Sequence, residues 1–268
     1  TKIKTIDDMK KAASNISKLG AEAVVVKGGH LEGAKVTDIL YYDGEFKIFT
    51  KPRVKVEAHG GGCIFSAAIA AYLALNYDVV EVVTKAEEFM QNTIAFGLRV
   101  GKGRVPVNPM ASLFNEAEKH RVLEDVSTAT KMIEDHSEFL PYVAEVGTQV
   151  AMALPYASTK WHVAAVEGRI VKVGERARAV GCARFGVSDH IARIILTAMK
   201  HDPSKRAALN LRYNQDLVEA FKKLRRVVSS FDRRLEPPEV KAMEGGTLAW
   251  GVEEAIKAVG RVPDIVYD

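Results

Sequence analysis

The spacing of hydrophobic positions predicts a helix and then a buried strand at the start of the chain. Thr5 precedes Asp8 by three residues, the spacing of a capping box, so a first helix is expected to begin there. Gly20 is expected to end that helix, because glycine readily adopts the left-handed conformation common at helix C-termini. The uninterrupted apolar run at residues 23–26 then indicates a buried strand.

Three further elements are expected before residue 100. Two apolar stretches, residues 39–42 and 46–49, flank Asp43-Gly44, an arrangement typical of a β-hairpin on a type I′ turn. A second helix should follow the glycines at 60–62, and it is predicted to be buried because it is apolar nearly all round. An amphipathic third helix is predicted from about residue 86 to residue 100.

Glycine and proline become dense at residues 101–109, which indicates a connection between two domains. The expected boundary lies near residues 110–120. Beyond it, strand-like and helical stretches alternate, with helices predicted at 116–139, 189–201 and 215–229 and strands at 161–166 and 169–173. We therefore expect an α/β fold in both parts.

The composition is that of an ordinary globular protein, with 47% hydrophobic and 27% charged residues among 268. No apolar run approaches the roughly 20 residues of a membrane-spanning helix, and no signal-peptide core is present. The net charge of +4 is too small to indicate nucleic-acid binding by itself. Cys63 and Cys182 lie far apart in different contexts; one disulfide between them is possible, but a reduced, cytoplasmic protein is expected. The absence of an initial methionine before Thr1 is consistent with a fragment or a trimmed chain.

Two glycine-rich segments in the first part are candidates for phosphate binding. Lys27 and two glycines follow the predicted strand, and residues 59–63 (HGGGC) open the second helix. Backbone N–H groups at a helix N-terminus stabilise phosphate oxygens, and glycines let the phosphate approach closely. The alternative is a tight strand-to-helix turn in which Cys63 is a small packed residue.

Residues 5–109 together resemble the C-terminal part of the hydroxymethylpyrimidine and phosphomethylpyrimidine kinases, which have the ribokinase fold. The resemblance is carried by VKGGHL (26–31), the Asp-Gly hairpin, HGGGCIFSAAIAAYLA (59–74) and VGKGRVPVN (100–108). It implies that Gly60, Gly61 and Gly62 form an anion hole for ATP.

The same resemblance places Cys63 at the catalytic position of the kinase and Lys27 on the nucleotide side. The family usually has threonine where Gly61 stands, a tolerable change in a loop that acts through its backbone. The N-terminal half of such kinases, which supplies most pyrimidine contacts, has no counterpart in this sequence. Kinase activity is therefore expected only from a longer protein that includes that half.

In the second part, polar and basic residues cluster beside glycines. Arg169 follows an apolar strand, and Ser188 is placed to cap a helix that carries His190 in its first turn. A phosphate near that helix start would meet free N–H groups, the helix dipole and a histidine able to bind a proton. Further candidates for phosphate contacts are Arg206, Asn210, Arg212 and the helix-opening turn Gly245-Gly246-Thr247.

Each of these residues has a plainer interpretation. A surface position on a strand would explain Arg169, and a capping or packing role would explain His190. The basic run at residues 222–226 is interpreted as the solvated face of a helix, because aromatic residues do not alternate with it. A hydrolase triad that includes Ser188 and His190 is disfavoured, because the G-x-S-x-G turn is absent and the two residues are two positions apart.

The second part as a whole resembles the archaeal-type thiamine-phosphate synthase domain, which usually follows a kinase of the kind described above. The matching stretches are EVGTQVAMALPYA (145–157), VAAVEGRI (163–170), FGVSDHIARIILTAMKHDP (185–203), RAALNLRYN (206–214), FDRRLEP (231–237), EGGTLAWGV (244–252) and PDIVYD (263–268). The resemblance implies a truncated ribokinase-like segment at residues 1–112, followed by a separate α/β synthase domain at 113–268. It also implies that Arg169 and His190 are the residues tied to activity.

The implied reaction condenses hydroxymethylpyrimidine pyrophosphate with thiazole phosphate, so the expected partners are small phosphorylated molecules rather than nucleic acid or membrane. Mg²⁺ is expected to bridge pyrophosphate and protein, with Asp189, Asp232 and Asp264 as unranked candidate ligands. A truncated kinase segment should expose apolar surface, so a homo-oligomer is expected. The alternative is a regulatory module that senses thiamine phosphate; the kinase-like neighbour and the presence of both Arg169 and His190 favour the enzyme.

Overall fold

The computed structural model describes residues 3–243 and 245–268, which form two compact units, the first ending at Ser112 and the second beginning at Leu113. Thr1 and Glu244, which figured in the sequence analysis, lie outside the described residues. Both units mix helices and strands, so the predicted α/β class is confirmed. That each unit folds as an independent domain stays a prediction. Within the described part of the chain, no helix combines the length and apolarity needed to cross a bilayer.

The first unit begins with a helix packed on a three-stranded antiparallel sheet of order β1-β2-β3. Its elements are α1 (Ile6–Ser17), β1 (Ala23–Val26), β2 (Lys35–Tyr42) and β3 (Glu45–Pro52). The capping box of Thr5 and Asp8 is present as predicted. Asp43 and Gly44 have φ values of 50° and 78°, so the predicted type I′ hairpin is confirmed.

The rest of the first unit is a helix pair with a short parallel strand pair. Its elements are β4 (Ala58–His59), α2 (Gly61–Ala74), α3 (Val79–Ala95) and β5 (Val105–Pro106). The prediction for α3 was wrong at both ends. Asp78 begins the helix by accepting hydrogen bonds from the N–H groups of Val80 and Glu81, and after Ala95 the chain turns so that Leu98 N–H donates to Pro106 O.

The predicted burial of α2 was also wrong. Only Phe65 and Ala68 are buried, on the face that packs against Ala86 and Met90 of α3, whereas Leu73 is 47% exposed. The apolar composition shows which side chains favour burial, but burial also needs a neighbour, and within the described chain only one face of α2 has one.

The second unit contains a four-stranded antiparallel sheet of order β10-β7-β6-β11, a β8-β9 hairpin and a parallel β12-β13 pair. Its elements are α4 (Ala111–Asp135), β6 (Val150–Ala153), β7 (Val163–Val166), β8 (Ile170–Val173), β9 (Arg176–Ala179), β10 (Ala183–Phe185), α5 (Asp189–His201), β11 (Ala207–Leu209), α6 (Gln215–Lys223), β12 (Val228–Ser230), α7 (Pro238–Lys241), α8 (Gly246–Val259) and β13 (Ile265–Tyr267). The first two residues of α4 belong to the first unit.

Helices cover both faces of that sheet, and the alternation of side chains along β6 and β7 explains why. Val150, Ala164 and Val166 pack with residues of α4, whereas the intervening Ala151 and Ala165 pack with residues of α5. A strand with this period of two presents one apolar set to each face. The central strands are therefore held on both faces, and the candidate site residues extend from turns at their ends.

Several boundaries in this unit differ from the predictions. Helix α4 spans Ala111–Asp135 rather than residues 116–139, because a separate 3₁₀ turn occupies Ser137–Tyr142. Strand β7 begins at Val163, because Lys160–His162 forms a 3₁₀ turn. Strand β8 begins at Ile170, because Arg169 has a φ of 71° and belongs to the preceding turn. Helix α6 ends at Lys223 rather than 229, since Arg225 has a φ of 56° and β12 begins soon after. The prediction for α5 is confirmed at both ends.

Candidate functional site

Two turns of the second unit meet at an open cleft of about 450 Å³. One turn joins β7 to β8 and carries Arg169, and the other leads into α5 and carries Ser188 and His190. These three sequence-predicted residues thus line one cleft, although 19 positions or more separate Arg169 from the other two. The described residues that line it are Val146, Gln149, Gly168, Arg169, Val187, Ser188, Asp189 and His190.

The backbone of Arg169 is in the left-handed region, which is unusual for a residue with a side chain. Its N–H donates to Val166 O (3.3 Å), and one guanidinium nitrogen, Nη1, donates to Val146 O (2.8 Å). Among residues 3–243 and 245–268, no carboxylate forms an ion pair with this guanidinium. A backbone conformation of this kind is retained where the surroundings fix it, and it is often found at functional sites.

The segment 147–149 forms the floor beneath Arg169. The side-chain amide of buried Gln149 donates to Val166 O and accepts from Val166 N–H, both at 2.9 Å, and so ties the floor to the end of β7. The Asn210 side chain accepts from Gln149 N–H (2.7 Å) and donates to Gly147 O (3.2 Å). Asn210 therefore supports the floor with both ends of its amide and does not line the cleft.

The other wall is the start of α5. Ser188 is its N-cap residue, as predicted, but its side chain makes no capping hydrogen bond. Within the described part of the chain, no side chain caps the first-turn N–H groups of the helix, a state that favours an anion at this end. His190 is exposed in the first turn, where its ring can reach a ligand in the cleft.

Among the described residues that line the cleft, Asp189 is the one carboxylate. Asp189 Oδ1 is 2.9 Å from Lys160 Nζ, and this hydrogen bond lowers the pKa of Asp189 below its ordinary value. Because Lys160 neutralises it, Asp189 does not cancel the attraction that Arg169 offers to an anion.

The second predicted anion turn lies beside the same helix. Gly245 has a φ of 70° and is the N-cap residue of α8, which begins at Gly246. A β-carbon on Gly245 would lie 2.6 Å from Cζ of Arg193, so that guanidinium lies against the turn. Arg193 is four residues after Asp189 and is therefore on the same side of α5. Arg193 was not among the predicted site residues; its four-residue spacing from Asp189 on a predicted helix was the available signal.

The remaining candidates lie elsewhere in the second unit. Arg206 Nη1 is 3.4 Å from Ala153 O, and Arg212 is exposed with its N–H donating to Tyr142 O (2.8 Å). Neither belongs to the lining of the cleft.

The structure also separates the three carboxylates proposed for Mg²⁺. Hydrogen bonds from Arg234 lower the pKa of Asp232 to about 2, and Asp264 pairs with Lys205 at 2.8 Å in a different cavity. Only Asp189 lines the cleft. Across the described residues, no three His, Cys, Asp or Glu side chains converge to hold a metal ion.

The candidate site of the first unit is the start of α2. Gly60 has a φ of 89° and precedes the helix without a side-chain cap, and Cys63 is exposed in the first turn rather than packed. Lys27 Nζ lies 3.9 Å from the ring centre of Phe65 in α2, and desolvation lowers the pKa of Lys27. The two phosphate motifs of this unit therefore lie against the same helix.

Comparisons with known proteins match each part of the chain to a different family model. Residues 125–268 match the family model of thiamine-phosphate synthase ThiN, and residues 1–108 match that of phosphomethylpyrimidine kinase. The bifunctional thiamine biosynthesis protein ThiDN of Methanocaldococcus jannaschii is 37% identical over 236 residues, which cover 87% of this chain and 53% of the relative. The chain thus spans about half the length of that protein.

Two further similarities concern parts of the chain. The thiamine-phosphate synthase ThiN of Methanothermobacter thermautotrophicus is 36% identical over 145 residues, which cover 54% of this chain and 76% of the relative. A crystal structure described as the C-terminal domain of phosphomethylpyrimidine kinase is 42% identical with a TM-score of 0.53, covering 56% of this chain and 84% of that one.

Proposed function

Since the chain belongs to the thiamine-phosphate synthase ThiN family, we propose that its second unit makes thiamine phosphate from hydroxymethylpyrimidine pyrophosphate and thiazole phosphate. The observation that carries the proposal is the convergence of Arg169, Ser188 and His190 on one cleft. The cleft offers a cation, a hydroxyl and a helix N-terminus, which suit a substrate with several phosphate oxygens.

The reaction breaks one bond and forms one. The C–O bond between the pyrimidine methylene and pyrophosphate breaks, and the thiazole nitrogen donates its lone pair to the same carbon. That nitrogen carries no proton, so the step needs no general base. The difficult part is the departure of pyrophosphate from a carbon that becomes cationic, and electrostatic stabilisation of the leaving group is the appropriate form of catalysis.

Each cleft residue then has a specific role. Arg169 binds the pyrophosphate through the guanidinium nitrogens other than Nη1, which is anchored to Val146 O. Protonated His190 neutralises charge on the departing oxygen, and the start of α5 with the Ser188 hydroxyl completes the anion site. Asn210 acts through the floor segment as a positioning residue.

The thiazole phosphate needs a second anion site. We assign it to the turn Gly245-Gly246-Thr247, because the N-terminus of α8 and the guanidinium of Arg193 lie together there. Arg206 and Arg212 lie outside the cleft lining, so we assign them outer contacts to phosphate.

Mg²⁺ fits the cleft only as an ion carried mainly by the substrate. Among the described lining residues Asp189 is the single carboxylate, and it is paired with Lys160, so phosphate oxygens and water would supply most of the ligands that Mg²⁺ prefers. When bound, the ion would supply further positive charge to the pyrophosphate.

We also propose that the first unit holds phosphate groups of ATP at Gly60, Gly61 and Gly62, with Cys63 at the catalytic position and Lys27 on the nucleotide side. We expect phosphoryl transfer to hydroxymethylpyrimidine or its phosphate only from a longer protein that also contains the N-terminal half of the kinase. The chain alone, given ATP and hydroxymethylpyrimidine phosphate, should release no ADP above background.

The deciding experiment measures thiamine-phosphate formation with Mg²⁺ for the unmodified chain, Arg169→Ala and His190→Ala. We expect turnover that falls on the order of a hundredfold or more in both variants. Arg176→Ala and His120→Ala, which change exposed residues outside the cleft, serve as controls and should keep full activity. An absence of product together with tight binding of thiamine phosphate would instead favour the regulatory module.

A further inference from the structure

An exposed tryptophan stands beside the cleft, and the catalytic roles above do not use it. Trp161 is 64% exposed and occupies the middle of the 3₁₀ turn Lys160–His162, just before β7. The turn is well fixed, because Leu154 N–H donates to His162 O (2.9 Å) and the His162 ring accepts from Ser158 N–H (3.2 Å). The exposed indole is therefore held by a rigid backbone.

The indole lies on the backbone of Gly186. A β-carbon on Gly186 would lie 2.5 Å from Cζ3 of Trp161 and 3.2 Å from its Cδ2, so only glycine leaves room for the six-membered ring. Gly186 immediately precedes Val187, where the α5 wall of the cleft begins. The ring thus rests on the residue next to that wall.

A second contact fixes the same turn to the cleft. Lys160 pairs with Asp189, which lines the cleft, and Lys160 Nζ is also 5.1 Å from the ring centre of Trp161. Lys160 contacts the first side chain of α5, and Trp161 contacts the backbone just before the helix. Both residues are therefore attached to the entry of α5.

The other tryptophan of the chain shows the ordinary structural alternative. Trp250 in α8 is partly buried and packs edge-to-face on Phe231, with ring centres 5.8 Å apart and an interplanar angle of 88°. Trp161 has no aromatic ring against it among the described residues, and Val187, the residue after its glycine contact, lines the cleft.

We propose that Trp161 is the stacking platform for the pyrimidine ring of the pyrophosphate substrate, an inference that rests on the proposed synthase function. The pyrimidine is one methylene away from the pyrophosphate, so a ligand whose phosphates contact the α5 wall must place its ring close to that wall. Heteroaromatic rings stack favourably on indole, and the face of an indole attracts positive charge. The same ring would therefore hold the substrate and stabilise the cationic methylpyrimidine as the C–O bond breaks.

Fluorescence can test the contact directly, because the chain holds only two tryptophans. In Trp250→Phe the emission comes from Trp161 alone. We expect saturable quenching by hydroxymethylpyrimidine pyrophosphate and little change with inorganic pyrophosphate, which has the same charge pattern but no ring. Equal responses to both ligands, or no response to the pyrimidine ligand while calorimetry shows that it binds, would overturn the proposal.

Kinetics supply the second test. Trp161→Ala should raise the KM for the pyrimidine substrate roughly five- to hundredfold and lower kcat, whereas the KM for thiazole phosphate should stay within about twofold. Trp161→Phe should recover most of the loss, because phenylalanine retains a face for stacking, and Trp250→Phe is the matched control. Equal rises in both KM values, or no rise at all, would refute the stacking role.

The outcomes separate this proposal from the synthase function itself. If the unmodified chain makes thiamine phosphate and Trp161→Ala is unaffected, only the stacking role fails. If the unmodified chain makes no product but the pyrimidine ligand quenches Trp161, the synthase function fails and the stacking contact stands.

Discussion

Gly147 and Arg169 are packed so closely that residue 147 must be glycine for Arg169 to keep its position. A β-carbon on Gly147 would lie 3.1 Å from Cβ and 3.2 Å from Cδ of Arg169, and Gly147 itself has a φ of 86°. The position of Arg169, the main cation of the cleft, thus depends on the floor segment. Any side chain at 147 must displace Arg169 or distort the turn that carries it.

Gly147→Ala should therefore lower kcat/KM for thiamine-phosphate formation about tenfold or more, by misplacing the guanidinium. Gly174→Ala is the matched control, because Gly174 also has a positive φ (57°) but a β-carbon there would meet nothing within 4 Å. Both variants should lose about 1–2 kcal/mol of stability from backbone strain, which thermal unfolding measures. Equal activity losses in the two variants would show that strain alone is responsible.

The Asn210 amide connects two backbone groups of the same floor, so its removal should also displace Arg169. Asn210→Ala should cost about 1–3 kcal/mol in the free energy of unfolding and reduce kcat/KM, because Gln149 N–H loses its buried acceptor. Asn214→Ala removes a helix cap on α6 instead, and should cost about 1 kcal/mol with unchanged kinetics. Urea unfolding and steady-state assays on both variants check this; a purely structural Asn210 would behave like Asn214.

The sequence predicts most of the local elements here and few of the long-range contacts. The cap at Thr5, the start of α5 after Ser188 and the hairpin turn at Asp43 were predictable because the chain positions that decide them are adjacent. The role of Asn210 was not predictable, because its hydrogen-bond partners are more than 60 positions away and asparagine is equally suited to a phosphate contact. The left-handed backbone of Arg169 was equally hidden, because arginine has no preference for that conformation.

Trp161 and α2 show a second limit of prediction from the sequence. The apolar run before residue 166 predicts a strand from Trp161 onwards, but a 3₁₀ turn directs that side chain outwards beside the cleft. In α2, hydrophobicity indicates which residues favour burial without revealing whether a neighbour covers them. Both errors concern the surroundings of an element rather than its local conformation.

The ion pair of Lys160 and Asp189 gives the cleft a predictable pH dependence. A carboxyl group whose pKa is lowered in the folded state stabilises the fold above its unfolded pKa of 3.8, and this contribution disappears as the pH falls through the lower folded value. Lys160→Met should therefore be less stable than the unmodified chain at pH 6, and the difference should vanish in strong acid. The effect should be small and should shrink with added salt, because the pair is exposed.

The same variant should impair binding of the pyrimidine pyrophosphate, because it leaves the Asp189 carboxylate uncompensated in an anion site. We expect a KM several-fold higher for that substrate, and the double variant Lys160→Met with Asp189→Asn should restore it by removing the repulsion. Lys172→Met, an exposed change on β8, is the control. A double variant that is no better than the single one would show that repulsion by Asp189 is not the cause.

The assignment of thiazole phosphate to the α8 turn calls for a substitution that leaves the fold intact. A β-carbon on Gly246 would lie 2.5 Å from Val240 O, so a bulky residue there would disturb the packing of α7 and α8 and would not report on binding alone. Thr247→Ala is the sharper test: it should raise the KM for thiazole phosphate several-fold and leave the KM for the pyrimidine pyrophosphate unchanged. Thr128→Ala, at an exposed position of α4, should alter neither value.

The cleft, its floor and the α8 turn all lie between Val146 and Thr247, within the unit that begins at Leu113. If that unit is an independent domain, residues 113–268 expressed alone should unfold cooperatively and make thiamine phosphate with kcat and KM values close to those of the whole chain. The same Arg169→Ala substitution should abolish the activity in both forms. A folded but inactive second unit would mean that the first unit contributes to the synthase site, whereas a failure to fold would refute the domain boundary itself.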